Sequence, residues 1–146
     1  MTAYPTAIPM ISYEDPAAAA DWLVSAFGFA ERTRLRAEDG RVNHVELVLD
    51  DAVVFLGKPH PEYHSPKRHA EECEAAARWL ESPYVVDGVY VRVDDVDEHR
   101  RRAEAAGATM LGPTEDAPHG DRLYRVADLE GHRWMFAQHV GQGADR

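Results

Sequence analysis

The stretch Asp15-Pro-Ala-Ala-Ala-Ala-Asp-Trp-Leu-Val-Ser-Ala-Phe-Gly28 reads as one helix with both of its ends written into it. Aspartate ahead of proline supplies an N-cap, and proline's missing N–H costs nothing in the first turn. Trp22, Leu23 and Phe27 recur at helical spacing, and Gly28 stands where a left-handed residue closes a helix. Working outward, residues 7–13 read as a strand before the helix and residues 30–37 as a charge-rich strand after it. Asp39-Gly40 tolerates the positive φ of a tight hairpin, so residues 42–49 return alongside. Asp50-Asp51 then turns the chain into a last strand over 52–56, giving the order strand, helix, strand, strand, strand.

The same order returns from Asp87 onward. Asp94-Asp95 repeats Glu14-Asp15 80 residues later, Gly107 repeats Gly28 after 79, His119-Gly120 repeats Asp39-Gly40 after 80, and Trp134-Met135-Phe136 overlays Val53-Val54-Phe55 after 81. Two copies of about 80 residues indicate a duplicated, pseudo-symmetric domain rather than a solenoid, whose repeats run to about 20–50. The expected organisation is a single α+β domain over 1–140, with βαβββ modules at 7–57 and 87–138 and a loose tail at 141–146. Between the modules lies an insertion at 58–83. It comprises a proline- and histidine-containing loop and a helix over 68–81 that stops before Pro83.

Composition limits the function classes. A chain of 146 residues buries a core without disulfides or a structural metal. The net charge of −10 repels phosphate backbones, which argues against nucleic acid as a partner. The longest apolar runs fall far short of the roughly 20 residues that span a bilayer, so no membrane partner is expected. The single cysteine, Cys73, makes no internal disulfide, and the N-terminus lacks the charged and apolar regions of a signal peptide. The cytoplasm is the expected compartment.

Three segments carry a resemblance: the helix motif 15–28, its counterpart Asp94-Asp-Val-Asp-Glu-His-Arg-Arg-Arg-Ala-Glu-Ala-Ala-Gly-Ala108, and Tyr124-Arg-Val-Ala-Asp-Leu-Glu-Gly-His-Arg-Trp-Met-Phe136. Together they resemble the glyoxalase/bleomycin-resistance/dioxygenase, or vicinal-oxygen-chelate (VOC), superfamily over roughly residues 8–136. The last motif is the most specific. The resemblance implies that the modules curl into a curved mixed sheet forming an open cup, in members that include glyoxalases, extradiol dioxygenases, epimerases, thiol transferases and antibiotic-binding proteins. It also implies four cup positions at which metal-dependent members place His, Gln or Glu, which fall near Ile8, Val54, Gly88 and Met135 in this chain. None of these is a hard or nitrogen ligand. A one-residue slip substitutes Pro9, Val53 or Phe55, Val89, and Trp134 or Phe136, which are no better. No metal and no cofactor is therefore expected. The pattern is closer to the PhnB-like or bleomycin-resistance-like branch, which implies a homodimer whose second subunit completes the cup.

Period-two alternation then selects the cup-facing residues. Trp134 and Phe136 make a core pair, turning Arg133 and Met135 to the other face. Val89, Val91 and Val93 mark a helix side and leave Gly88, Tyr90 and Arg92 opposite; Tyr90 is either a ligand-stacking residue or an ordinary surface tyrosine. His44 and Glu46 share the polar face of 42–49 and are the candidate catalytic pair, a base with its orienting carboxylate, or else a solvated strand pair. His60, His64 and His69 match no zinc spacing and read as loop residues. Cys73 reads as a packed small residue, and Asp128 with Gly131 marks a turn in which His132 is structural.

The leading expectation is metal-independent binding of an apolar or aromatic small molecule, with ligand contacts at Tyr90, Arg92, His44, Glu46, Arg133 and Met135. One alternative is a lyase, isomerase or dioxygenase with relocated metal ligands or acid and base groups. The other is a protein-interaction module that docks through the inserted helix.

Overall fold

A computed structural model describes residues 3–81 and 87–141. Strand β1 (Met10–Ser12) leads into helix α1 (Pro16–Phe27), followed by β2 (Ala30–Arg36), β3 (Val42–Leu49) and β4 (Ala52–Gly57). Two short helices, α2 (Pro66–Glu72) and α3 (Glu74–Leu80), precede β5 (Gly88–Arg92) and α4 (Val96–Ala105). The chain ends in β6 (Thr109–Met110), β7 (Glu115–Asp116), β8 (Asp121–Ala127) and β9 (Arg133–His139). The α+β class and the doubled module order are as the sequence indicates, but each module keeps its own sheet. The first is ordered β1-β4-β3-β2; the second is ordered β5-β9-β8-β6, with β7 also on β8.

The local signals of the opening stretch are realised as read. Asp15 accepts from Ala18 N at 3.1 Å, Pro16 opens α1, and Gly28 closes it at φ 83°. Gly28 has a second reason to lack a side chain, since a Cβ would lie 3.1 Å from the Arg102 guanidinium. Arg102 donates to the carbonyls of Val24 and Ser25, placing a cation on the negative end of α1.

Two expectations are corrected. The first strand is shorter than read, covering only residues 10–12. The inserted helix is also two helices, because Cys73 adopts an extended conformation (φ −141°, ψ 116°) between them. Cys73 is therefore a half-exposed hinge residue rather than a packed one. The predicted stop at Pro83 and the tail beyond residue 141 lie outside the described residues.

The core is common to both modules. Phe27 and Phe29 of the first pack on Trp134 of the second at centroid distances of 5.5 and 5.6 Å. His99 of α4 lies between them, its Nε2 donating to the Phe27 carbonyl at 2.8 Å and its Nδ1 accepting from the Tyr124 hydroxyl at 2.6 Å. The turn Asp128-Leu-Glu-Gly-His132 ties the seam further. Buried Asp128 accepts from Tyr13 Oη at 2.6 Å and Trp134 Nε1 at 3.0 Å, Glu130 accepts from the amides of Glu14 and Asp15, and His132 Nε2 donates to the Ser12 carbonyl at 2.6 Å. Gly131 sits at φ 89°, and a Cβ there would be 2.8 Å from Lys67 N, where the insertion docks.

Candidate functional site

Alternation fixes which sheet faces stay open. On β3, Val45 and Leu47 enter the core, so His44 and Glu46 stand on the opposite face. On β9, Trp134 and Phe136 are fully buried, and on β5 Val91 is buried while Tyr90 and Arg92 are exposed. Pairing also corrects the repeat. Met10 faces Phe55 as Tyr90 faces Met135, so the last strand of each module is related by 80 residues and not 81. Val54 accordingly packs in the core and Phe55 is the outward residue.

The first open face centres on Glu46, only 7% exposed. Its carboxylate accepts from Tyr4 Oη at 2.6 Å and from His44 Nε2 at 2.9 Å. Phe55 packs edge-on against both His44 and Tyr4, and the Arg32 guanidinium lies 4.1 Å over the Tyr4 ring. Burial pushes the Glu46 pKa up, but the hydrogen bonds from Tyr4 and His44 with the Arg32 guanidinium nearby outweigh it, and the carboxyl ends below its ordinary value. His44 lines a cavity of about 230 Å³ together with Met10 and Phe55.

The second open face centres on Asp121, 1% exposed. Tyr90 Oη donates a short hydrogen bond to it, His139 Nδ1 lies at 2.8 Å, His119 Nε2 at 3.4 Å and the Arg92 guanidinium at 3.5 Å. The bonds from Tyr90 and His139 lead in lowering the Asp121 pKa to about 2, and partial burial followed by Asp121 itself pushes the Tyr90 phenol up to about 12. At neutral pH the centre is thus an anion held by a neutral phenol. Tyr90 and Arg92 line a cleft of about 580 Å³ together with Pro5, Ala7 and Val53 and the carboxylates of Asp50, Asp51 and Asp94.

Of the residues singled out in the sequence, His44 and Glu46 come together, and so do Tyr90 and Arg92. The two pairs lie on different sheets, and His44 lines a different cavity from Tyr90 and Arg92. Met135 is half-buried between Arg125 and Tyr90 in the register. Arg133 is nearly covered, because its guanidinium donates to the Leu80 carbonyl at the end of α3. His64 pairs with Glu72 at 2.8 Å and His60 accepts from Glu62 N, as befits loop residues. Tyr4, His119, Asp121 and His139 were missed. Extending the period-two reading to residues 121–127 places Asp121 on the Met135 face, whereas Tyr4 lies in a segment with no periodicity to read.

The profile of the Glyoxalase/Bleomycin resistance protein/Dioxygenase superfamily matches residues 7–136. The chain belongs to that superfamily. TioX from Micromonospora sp. ML1 is 36% identical, with a TM-score of 0.68, across 91% of this chain and 97% of its own. An uncharacterized protein of Mycobacterium tuberculosis (strain ATCC 25618 / H37Rv) is 31% identical over 140 residues, 93% of this chain and 75% of the relative. TnmS3, an antibiotic binding protein from Streptomyces sp. CB03234, shares the fold at 20% identity and a TM-score of 0.59, over 93% of this chain and 98% of that one.

The residues at the superfamily's metal positions do not suit a metal. With the register corrected they are Ile8, Phe55, Gly88 and Met135, which offer alkyl, aryl, hydrogen and thioether groups where oxygen or imidazole donors are needed. Among the described residues no group of three or more His, Cys, Asp or Glu is arranged to hold a metal elsewhere. No described helix is long and apolar enough to cross a membrane.

Proposed function

We propose that this VOC-superfamily chain binds an apolar or aromatic small molecule on the open faces of its sheets without a resident metal, and that a second copy completes the cup as a homodimer. The observation that carries the reading is the set of large apolar side chains left uncovered there. Met10 is 83% exposed, Leu35 stands opposite His44 in the register, and Tyr90 is 43% exposed. A few oriented polar groups interrupt them: Glu46 with His44, and Asp121 with Arg92. Apolar walls with a small number of fixed polar groups are the general make-up of small-molecule sites.

Titration with aromatic fluorophores and a panel of aromatic antibiotics tests the reading, with elemental analysis and light scattering on the same preparation. Saturable binding by a dimer carrying less than 0.1 equivalent of metal is expected. Failure of every aromatic probe to bind would sink it, and a mass near 16.4 kDa at all micromolar concentrations would remove the dimer.

One observation favours a second reading. Glu46 is ionised and fixes His44 Nε2 at 2.9 Å, which leaves Nδ1 available as a general base beside the smaller cavity. One tightly held metal per chain that is lost in His44→Ala would promote a metal-dependent enzyme instead.

A further inference from the structure

The open face of the first module already holds an aromatic ring, supplied by the chain itself. Tyr4 comes from the segment before β1, yet its hydroxyl donates to Glu46 at 2.6 Å, the Arg32 guanidinium lies 4.1 Å over the centre of its ring, and the Phe55 ring stands edge-on to it at 6.1 Å. Glu46 is nearly buried and ionised, so it takes a donor and rejects an anion. The phenol beside it is held neutral, its pKa raised first of all by that hydrogen bond. Arg32 reaches this face at a bulge, since the register shifts between Glu31 and Thr33 and adds one residue to β2 where it passes Leu47 and Glu46. Its Nη1 is buried and has no hydrogen-bond acceptor among the described residues, so the face of the ring is the contact that compensates it.

The ring is closely held, whereas the segment that carries it is not. Among the described residues no backbone-to-backbone hydrogen bond ties residues 3–8 to the rest of the chain, and the first such bond is the one that the Pro9 carbonyl accepts from Phe55 N. Tyr4 itself stays 55% exposed. A strap anchored through one side chain lifts at little more than the cost of that side chain's contacts. A free phenol makes the same contacts. It leaves Glu46 with its donor and Arg32 with its π face, whereas an aromatic ring without a hydroxyl leaves a buried carboxylate short of a partner it had. The second face has no such exchangeable group, because the phenol on Asp121 is Tyr90, a residue of β5.

We propose that Glu46, Arg32 and Phe55 form a binding site for a neutral phenol, that is, a hydroxylated aromatic compound, and that Tyr4 is its tethered occupant, displaced when the ligand binds. The proposal rests on the small-molecule reading above and names the ligand class at one of its two faces. The ligand's hydroxyl replaces that of Tyr4 as donor to Glu46, and its ring takes the place under Arg32 and against Phe55. Because the strap competes from within the molecule, the apparent affinity is the intrinsic one multiplied by the fraction of molecules in which Tyr4 is off the site.

The test uses the whole protein with two fluorescent naphthalenes, 2-naphthol and 2-methoxynaphthalene, which differ in whether the oxygen donates a hydrogen bond. Tyr4→Ala is expected to bind 2-naphthol at least tenfold more tightly than the parent does, and severalfold more tightly than it binds the methyl ether. Adding Glu46→Gln to Tyr4→Ala is expected to remove most of that preference. Should the double variant not fold, Arg32→Ala on Tyr4→Ala carries the comparison and is expected to weaken both probes severalfold. In the parent, saturating 2-naphthol is expected to speed amide exchange in residues 3–8 as the strap lifts. Slower exchange there would seat the ligand on top of the strap and overturn the proposal, as would 2-naphthol binding no more tightly to Tyr4→Ala than to the parent. If both probes bind Tyr4→Ala equally, small-molecule binding stands and phenol recognition falls. If neither binds parent or Tyr4→Ala at millimolar concentration, both fall.

Discussion

Each module carries a buried carboxylate on its open sheet face, held by a tyrosine and a histidine, yet the two are assembled differently. Glu46 takes its histidine from the same strand two residues away and its tyrosine from the N-terminal segment. Asp121 takes its histidine from the adjoining strand, where His139 stands directly opposite, and its tyrosine from β5. The residue that occupies the Glu46 position in the second module is Arg125, opposite Met135 as Glu46 is opposite Phe55. Duplication has therefore repeated the backbone and its core alternation without repeating the polar chemistry. The first centre depends on a segment lying over its sheet, and the second is built within its sheet.

The largest effect sets the scale for both faces. Trp134→Ala removes a fully buried ring shared by the modules and should cost about 3–5 kcal/mol in urea unfolding, whereas Tyr90→Ala should cost about 1 kcal/mol and act chiefly on ligand affinity. A Tyr90→Ala protein that melts far below Trp134→Ala would mean that the sheet faces are inverted.

Between the two centres, Asp121→Ala should destabilise by about 2–3 kcal/mol and Glu46→Ala by about 1–2, since Asp121 is the more deeply buried and has more partners. Equal losses would erase the distinction between a centre built within its sheet and one completed by a strap.

Acid unfolding sharpens the same contrast. Asp121 has its carboxyl lowered from 3.8 to about 2, so its contribution is fully present above pH 3.8 and is lost as pH falls toward 2. Asp121→Asn should lack this loss, a difference on the order of 1 kcal/mol once solvent screening is allowed for. Glu46, lowered from 4.5, contributes with the same sign, so Glu46→Gln should flatten stability only below pH 4.5. A steeper acid dependence in either variant than in the parent would contradict the hydrogen-bond assignment.

The smallest effect concerns the strap. Tyr4→Phe removes one hydrogen bond from an exposed side chain and should lower global stability less than either carboxylate substitution, while speeding amide exchange in the segment before β1. Tyr90→Phe should leave that segment unchanged. Faster exchange there in Tyr90→Phe would show that the centres are coupled.

The duplicated order of elements, the α1 caps, the hairpin at Gly40 and the core faces of β3, β5 and β9 were all determined by sequence. Each depends on local periodicity or on a single residue's backbone preference, which a neighbour twenty residues away does not alter. His44 and Glu46 were legible for the same reason, as residues two apart on one strand. The partners of Asp121, the hook of Tyr4 over Glu46 and the covering of Arg133 by the end of α3 were decided only by tertiary structure. Each pairs groups far apart in the chain, through a register offset by one residue from the sequence overlay and through loops with no period. Which module lends a side chain to which face is therefore a property of how the two halves pack, and no window along the chain contains it.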